Sequence, residues 1–244
     1  MEVIAIVQAR MGSTRLPGKV MMKVKGKSIL YYVIERIKKS KLINQIIIAT
    51  TTNKNDDIIV KEAKKLNVDF FRGSENDVLS RYYFAAKKTS ADIIVRITSD
   101  CPLIDYKIVD KVIKRHLDAS ADYTANVIKR TYPRGFDTEV FNFNTLEKSY
   151  NDGEKNYHRE HVTKYITEHP EKFNIVNVEA KGKMRRPDIR ITVDTEEDFK
   201  LIKEVILHFN NISFEAIDII EFLNENTDLL EINKNVKQKE VNHY

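Results

Sequence analysis

Residues Val3 to Lys19 read VIAIVQARMGSTRLPGK. This stretch carries the strongest indication of the fold, because it joins an apolar run to a polar segment rich in cations. The apolar run Val3–Val7 predicts a short strand buried on both faces of a sheet. The polar segment that follows carries Arg10, Arg15 and Lys19 among glycine, serine, threonine and proline residues. Glycine permits close approach of the backbone to a ligand, and arginine binds phosphate oxygens through paired hydrogen bonds. The stretch therefore predicts a strand followed by a loop that binds the phosphates of a nucleoside triphosphate.

This loop follows neither of two common nucleotide-binding patterns. It contains neither G-x-x-x-x-G-K-[ST] nor G-x-G-x-x-G, so the sequence does not support a P-loop ATPase or a dinucleotide-binding fold. Single cationic side chains in loops are usually solvated. Three of them within ten residues, directly after a buried strand, favour a functional role.

Composition narrows the class of protein. The 244 residues are 42% hydrophobic and 32% charged, and the net charge of +5 is dispersed along the chain rather than concentrated in one stripe. We therefore expect small anionic substrates and no nucleic-acid partner. No apolar run approaches the length of a membrane span and no leader pattern precedes the first strand, so we expect no membrane partner and a cytoplasmic location. Cys101 is the only cysteine, which excludes an intramolecular disulfide.

The first half of the chain alternates strand and helix patterns. Such alternation predicts a parallel sheet with helices on both faces and ligands outside the carboxyl ends of the strands. The loops at 8–25, 72–77 and 98–102 all follow predicted strands, so we expect them to meet on one rim of the sheet. The predicted strands are 3–7, 46–49, 68–71 and 93–97, and the predicted helices are 28–37, 55–66, 78–87 and 106–117, with Ser28 as a cap and Asp56 and Asp57 complementing a helix dipole.

The alternation weakens after residue 120. We interpret about 120–185 as an insertion that covers the pocket, within a single domain of residues 1–224, and expect the tail, 225–244, to fray. The pattern predicts strands at 122–127, 138–143 and 173–179, helices at 143–150 and 159–168, a strand at 189–193 that returns to the sheet, and helices at 196–209 and 214–223.

Two aspartates follow predicted strands on the same rim. Asp100 precedes Pro102, and Asp194 ends the segment 189–193. A magnesium ion that bridges phosphates needs only one or two protein carboxylates, so either residue suits that role. Two alternatives stay open: Asp100 as a turn former, and Asp194 as part of a helix-capping sequence.

Four segments together resemble the cytidylyltransferases that activate acidic sugars, which include the acylneuraminate and 3-deoxy-manno-octulosonate enzymes. The likeness is greatest to the branch of the spore coat polysaccharide biosynthesis protein F, and it covers roughly residues 1–205. The segments are ARMGSTRLPGK at 9–19, GSENDVLSR at 73–81, DCPLI at 100–104 and VDTEED at 193–198.

The resemblance implies an enzyme with an α/β, Rossmann-like (GT-A-like) fold, a three-layer sandwich whose mostly parallel central sheet carries an inserted substrate or dimerisation subregion. Such enzymes are often dimeric, so we expect a homodimer. They transfer CMP from CTP to a sugar acid and release pyrophosphate, with Mg²⁺ held here by Asp100 and Asp194. The product would serve surface polysaccharide or glycan biosynthesis.

The resemblance also implies roles for individual residues. The catalytic group would be Arg10, Arg15, Lys19 and Asp100. The nucleotide would contact Ala9, Arg10, Met11, Gly12, Ser13, Arg15, Lys19, Gly73, Ser74, Asp77, Ser99 and Asp100. The sugar would contact Arg81, Asp137, Glu139, Arg159, Glu160 and His161.

Departures from the family pattern leave the sugar open. The acylneuraminate enzymes carry Gly-Gly-Ser-Lys where this chain has residues 11–14, and Ser99 stands where many nucleotidyltransferases have glycine. His161 also suits a structural role, and Asp137 and Glu139 alternate as on an exposed strand face.

Three other functions stay open: a nucleotidyltransferase that uses another nucleoside triphosphate and a sugar phosphate, a GT-A glycosyltransferase, and a non-catalytic nucleotide-binding relative. The glycosyltransferase would usually show Asp-x-Asp, whereas Asp100 is followed by Cys101 and Pro102.

Overall fold

The central sheet of this computed structural model, which describes residues 1–238, has seven strands in the order β5-β4-β1-β6-β8-β7-β9. Neighbouring strands are parallel except where β8 pairs antiparallel with β6 and with β7. The mostly parallel α/β sheet is therefore confirmed. The strands are β1 Val3–Gln8, β4 Gln45–Thr51, β5 Asp69–Gly73, β6 Ile93–Thr98, β7 Tyr123–Ala125, β8 Glu139–Asn142 and β9 Ile175–Asn177, and β2 Lys23–Val24 pairs with β3 Lys27–Ser28 in a separate hairpin.

Strand β1 lies in the middle of the sheet and is buried on both faces. Val3, Ala5 and Val7 pack into one hydrophobic cluster, whereas Ile4 and Ile6 pack into a second. Because successive side chains of a strand point to opposite faces, the two clusters form the two interfaces between the sheet and its helical layers. The continuous apolar run at the start of the sequence is thus explained by burial on both sides.

Ten α-helices flank the sheet within residues 1–238. Ser28 caps α1 as predicted, accepting a hydrogen bond from the Tyr31 backbone at 3.0 Å. None of these helices combines the length and apolar character needed to cross a membrane. They are α1 Ile29–Ile37, α2 Asp57–Lys65, α3 Val78–Lys88, α4 Tyr106–Asp118, α5 Phe143–Asp152, α6 Asn156–Glu160, α7 Lys164–Glu168, α8 Glu196–His208, α9 Ala216–Glu225 and α10 Asp228–Glu231.

Two predicted elements of the second half differ in the structure. The predicted strand 189–193 makes only an isolated bridge, between Arg190 and Arg134, and does not join the sheet. Its apolar residues are buried because they pack against the core from outside the sheet. The predicted helix 159–168 is two short helices, α6 and α7, because the chain turns at residues 161–163.

The structure describes residues 225–238 of the tail predicted to fray, and part of this stretch packs against the core. Helix α10 follows α9 closely, and Leu229, Leu230 and Ile232 pack against the hydrophobic core. These three apolar side chains hold the tail against the core. The polar composition of the tail as a whole gave no indication of this packing. Residues 239–244 lie outside the described part of the chain, and the predicted domain limits stay a prediction.

Candidate active site

A cleft of about 360 Å³ opens at the carboxyl ends of the parallel strands. Its position follows the rule for open α/β sheets. The three loops expected on one rim meet there: Lys19 pairs with Asp100, and Arg10 lies 3.6 Å from Glu75. The cleft is lined by Gln8, Ala9, Arg10, Ser13, Thr14, Arg15, Lys19, Val20, Val78, Arg81, Arg96, Thr98, Ser99, Asp100, Glu160, His161, Asp194 and Gln238.

The ammonium group of Lys19 joins two aspartates that are distant in sequence. Its Nζ lies 2.8 Å from Asp100 and 2.8 Å from Asp194. Gly18, at a positive φ of 73°, turns the chain into the short 3₁₀ segment that begins at Lys19. Burial alone would lower the pKa of Lys19, but the two carboxylates raise it above its ordinary value. Lys19 is therefore held as a cation.

The carboxylate of Asp194 accepts ion pairs from three side chains. Besides Lys19, Arg190 contacts it at 2.7 Å and Arg15 at 2.9 Å. Burial would raise the pKa of Asp194, but these cations lower it to about 2. The carboxylate therefore stays ionised in the pH range of cells.

The sequence around Asp194 does cap a helix, but Asp194 is not the capping residue. Helix α8 is capped by Thr195, which forms a reciprocal capping box with Asp198. Asp198 is fully buried and also accepts hydrogen bonds from the Asp194 backbone at 2.9 Å and from Arg190 at 2.8 and 2.9 Å. The cap thereby leaves the side chain of Asp194 free to face the cleft cations.

The donor set formed by Asp100 and Asp194 suits a magnesium ion. Within residues 1–238 no group of three or more His, Cys, Asp or Glu side chains could hold a metal. The two carboxylates both contact the ammonium group of Lys19, so they lie close enough to bind one cation. Mg²⁺ commonly takes one or two carboxylate ligands from a protein, and phosphates and waters fill its other positions. The residues present therefore fit this ion, and its binding stays a prediction.

Asp56 anchors the first loop, a role that the sequence did not predict. Its carboxylate accepts a hydrogen bond from the Met11 backbone at 2.7 Å and from the hydroxyl of Thr51. Asp56 was expected to complement the dipole of α2 together with Asp57, but its side chain makes no capping bond to that helix. It is buried because it turns back to the end of β4.

The loop after β5 closes the opposite wall. Its Glu75 carboxylate reaches the first loop, where it lies 3.6 Å from Arg10 and would lie 2.9 Å from a Cβ atom on Gly12. Arg81 is buried and donates to the backbone carbonyls of Ser74 at 2.8 Å and Glu75 at 3.3 Å. Arg81 both lines the cleft and fixes the loop that holds Glu75.

The residues expected to bind the sugar fall into two groups. Glu160 and His161 line the cleft together with Arg81. Outside the lining, Arg159 pairs with Asp77 at 2.5 Å. This contact ties the start of α3 to α6.

Asp137 and Glu139 are held by other side chains. Asp137 makes a bidentate pair with Arg130 at 2.7 and 2.8 Å, outside the cleft lining. Glu139 is 8% exposed, so the interpretation of it as part of an exposed strand face is wrong. It pairs with Arg96 and accepts hydrogen bonds from Tyr123 at 2.8 Å and Thr163 at 2.6 Å. Through Arg96 it supports the floor of the cleft.

The predicted and observed site residues overlap in part. The predicted residues that do not line the cleft are Met11, Gly12, Gly73, Ser74, Asp77, Asp137, Glu139 and Arg159. Side chains in or beside the cleft that sequence reasoning missed are Gln8, Thr14, Val20, Val78, Arg96, Thr98, Arg190, Asp198 and Gln238. A usable signal existed for three of them, because Gln8 and Thr98 directly follow the predicted strands 3–7 and 93–97 and Arg96 lies next to the end of the second.

Comparisons with known proteins agree with this geometry. A family model described as cytidylyltransferase matches residues 4–237. An uncharacterised protein of Methanocaldococcus jannaschii is 44% identical over 98% of this chain and 97% of its own length. The spore coat polysaccharide biosynthesis protein SpsF of Bacillus subtilis is 34% identical over 93% of this chain and 96% of its own. A 3-deoxy-manno-octulosonate cytidylyltransferase of Bdellovibrio bacteriovorus is 30% identical over 48% of this chain and 47% of its own.

A solved structure extends the likeness to the whole fold. It is that of a cytidylyltransferase from Leptospira borgpetersenii, which is 38% identical, covers 98% of this chain and 100% of its own, and superposes with a TM-score of 0.91. The matched family model and these full-length relatives place the chain among the nucleotidyltransferases: it belongs to the cytidylyltransferase family.

Proposed function

We propose that this protein transfers CMP from CTP to an acidic sugar and releases pyrophosphate, in the synthesis of a surface polysaccharide or glycan. The observation that carries the proposal is the convergence of Lys19, Asp100 and Asp194, with Arg15 beside them, in the cleft at the strand ends. The names of two relatives, a spore coat polysaccharide protein and a 3-deoxy-manno-octulosonate cytidylyltransferase, support this substrate class.

The side chains of the first loop would bind the triphosphate. Arg10, Arg15 and Lys19 all line the cleft, and Ser13 lies among them. Phosphoryl transfer asks a protein mainly to position the reactants and stabilise charge, which these cations can do. In the proposed complex Arg15 and Lys19 stabilise the departing pyrophosphate, while the backbone near Ala9 borders the base.

The proposed reaction is an in-line displacement. A hydroxyl oxygen of the sugar forms a bond to the α-phosphorus of CTP, and the bond from that phosphorus to the bridging oxygen breaks. Pyrophosphate leaves with that electron pair, and the proton of the hydroxyl passes to solvent water. Asp100 and Asp194 would hold Mg²⁺. When bound, this ion would neutralise charge on the phosphates and lower the pKa of the attacking hydroxyl.

The far wall of the cleft would receive the sugar. Arg81 and Arg96 line it together with Glu160 and His161, so it offers both cationic and hydrogen-bonding groups. A sugar acid would find cations for its carboxylate and acceptors for its hydroxyls there. We further propose that the enzyme acts in the cytoplasm as a homodimer.

Pyrophosphate release tests the function directly. Each of CTP, UTP, GTP, ATP and dTTP is supplied with Mg²⁺ and crossed with a panel of sugar acids and sugar 1-phosphates. We expect release only with CTP and a sugar acid. Release with UTP or dTTP and a sugar 1-phosphate would show instead that the protein is a nucleotidyltransferase for sugar phosphates. Nucleotide binding without release across the panel would contradict catalysis. An Asp100→Asn preparation, purified identically, controls for contaminating enzymes.

A further inference from the structure

The segment 232–238, which we call the return segment, runs from α10 back to the cleft. Its start is fixed by apolar packing, because Ile232 contacts the hydrophobic core together with Leu229 and Leu230. Asn233 is 4% exposed, and Gln238 lines the cleft. The return segment, which belongs to the tail predicted from its polar composition, therefore reaches the proposed phosphate site.

Asn233 connects the return segment to Asp194 through two intermediates. Its side-chain amide donates to Asp198 at 2.8 Å and to the Arg190 backbone carbonyl at 3.0 Å. Asp198 in turn binds Arg190 at 2.8 and 2.9 Å, and Arg190 binds Asp194 at 2.7 Å. The amide of Asn233 thus uses both of its hydrogens within a network that ends on a cleft carboxylate.

The network also fixes the backbone at Asp194. The buried carboxylate of Asp198 accepts hydrogen bonds from the backbone amides of Asp194 at 2.9 Å and Thr195 at 3.2 Å. A buried carboxylate is costly unless its oxygens are fully hydrogen-bonded, so each donor holds Asp198 in this single orientation. Loss of the Asn233 amide would leave one oxygen of Asp198 with the guanidinium alone and loosen the whole arrangement.

The end of the return segment contacts both arginines that flank Asp194. The Lys237 carbonyl accepts from Arg15 at 3.2 Å, and the Gln238 side-chain oxygen accepts from Arg190 at 2.8 Å. Both acceptors are neutral. They hold the guanidinium groups without adding negative charge that would repel a phosphate chain.

We propose that the return segment is part of the nucleotide site, with Asn233 as a positioning residue for Asp194 and Gln238 as a contact that holds Arg190 against Asp194. This inference rests on the proposed function, because it takes the phosphate end of CTP as the ligand. Asn233 acts on Asp194, a proposed metal ligand, through Asp198 and Arg190. Loss of a residue that supports a metal ligand in this way typically costs 10- to 100-fold in metal affinity or activity.

Calorimetric titration with CTP, without any sugar, tests the inference. We expect Asn233→Ala to weaken CTP binding about tenfold and to raise the Mg²⁺ concentration needed for half-maximal binding. The matched control is Asn226→Ala, which removes an exposed side-chain amide that donates to the Phe222 carbonyl at 2.9 Å, at the end of α9. A purely structural role for Asn233 would lower the midpoint of thermal unfolding and leave the Mg²⁺ midpoint unchanged.

Gln238 is exposed, so we expect its variants to keep the fold. Gln238→Glu should weaken CTP binding more than Gln238→Ala, because residue 238 lines the cleft and an added carboxylate there would repel the phosphate chain. If the wild-type protein binds CTP and neither Asn233→Ala nor the Gln238 variants change its affinity or its Mg²⁺ midpoint, the inference is wrong while the proposed function stands. If the wild-type protein binds no nucleoside triphosphate at all, both are wrong.

Discussion

Lys19 and Asp100 are 81 positions apart in the sequence and are joined by an ion pair of 2.8 Å. Each lies in a loop that follows a parallel strand, β1 for Lys19 and β6 for Asp100, and these two strands are neighbours in the sheet. The pair therefore depends on sheet order, which brings the two loops together. Asp194 completes the arrangement from a segment outside the sheet.

Replacement of Asp100 by asparagine should nearly abolish turnover. Asp100→Asn keeps the shape of the side chain and removes the charge that Lys19 and a divalent cation would contact. We expect pyrophosphate release to fall about a hundredfold, which corresponds to about 3 kcal/mol of transition-state stabilisation. Thermal unfolding should change little. Asp118→Asn, which alters an exposed pair with Lys114, is the matched control. Wild-type rates for Asp100→Asn at saturating Mg²⁺ would contradict the role of this carboxylate.

Replacement of Lys19 by methionine should separate metal binding from catalysis. The ammonium group of Lys19 lies between Asp100 and Asp194. Lys19→Met removes this positive charge, so Mn²⁺, used as a spectroscopic probe, should bind at least about tenfold more tightly, as measured by electron paramagnetic resonance. Pyrophosphate release should fall because the triphosphate loses a cation.

The exposed residue Lys23 gives the control variant, Lys23→Met, for which neither quantity should change. Mn²⁺ affinity of Lys19→Met equal to that of the wild type would show that the two carboxylates do not form a cation site.

The first half of the fold could be predicted because its signals are local. Short apolar runs alternate with helical periodicity, and the rule that ligands bind at the carboxyl ends of strands then places the loops at residues 8–25, 72–77 and 98–102 on one rim. The structure confirms that these loops meet. Their residue roles stay a prediction, because position alone does not assign chemistry.

The predictions that failed did so for physical reasons. The apolar run 189–193 is buried by packing outside the sheet, and apolar periodicity cannot distinguish that burial from a strand. In the first half, Asp56 has the sequence context of a helix start, but its side chain bonds to the Met11 backbone, and no local pattern indicates that contact. Asn233 and Gln238 bond to Asp198 and Arg190, which are far from them in the sequence. Local composition carries no information about such contacts.

The ion pairs of Asp194 should make stability depend on pH in acid. The pKa of Asp194 is lowered from 3.8 to about 2 in the folded protein. A lowered folded-state pKa stabilises the protein above the unfolded value, and this contribution disappears as the pH falls through the folded value. We therefore expect the difference in free energy of unfolding between wild type and Asp194→Asn to shrink by about 2 kcal/mol from pH 5 toward pH 2.

Urea unfolding at a series of pH values measures this difference. Asp118→Asn, at an exposed ion pair, should show a small difference that does not follow this pattern. A gap for Asp194→Asn that stays constant across the range would mean that its ion pairs do not stabilise the fold.

Gly135 should be the glycine that tolerates substitution least, because it permits the approach of two segments beside the cleft. It has a φ of 120°, and a Cβ atom there would lie 2.5 Å from the Ile191 carbonyl oxygen. The flanking Arg134 bonds to Ile189 at 2.9 Å and to Ile191 at 2.7 Å through backbone groups, which holds the segment that carries Arg190. Gly135→Ala should therefore cost about 3 kcal/mol in free energy of unfolding and also weaken CTP binding, because Arg190 and Asp194 would shift together.

The matched control is Gly182→Ala, because Gly182 also has a positive φ, 55°, but no heavy atom lies within 4 Å of the added Cβ. It should lose only the cost of the left-handed backbone conformation, about 1 kcal/mol, and bind CTP as the wild type does. Urea unfolding and calorimetry on the two variants separate backbone strain from steric clash. Equal losses of stability in the two variants would show that the bridge between Arg134 and Arg190 yields to the added methyl group, and that it does not fix the position of Arg190 beside Asp194.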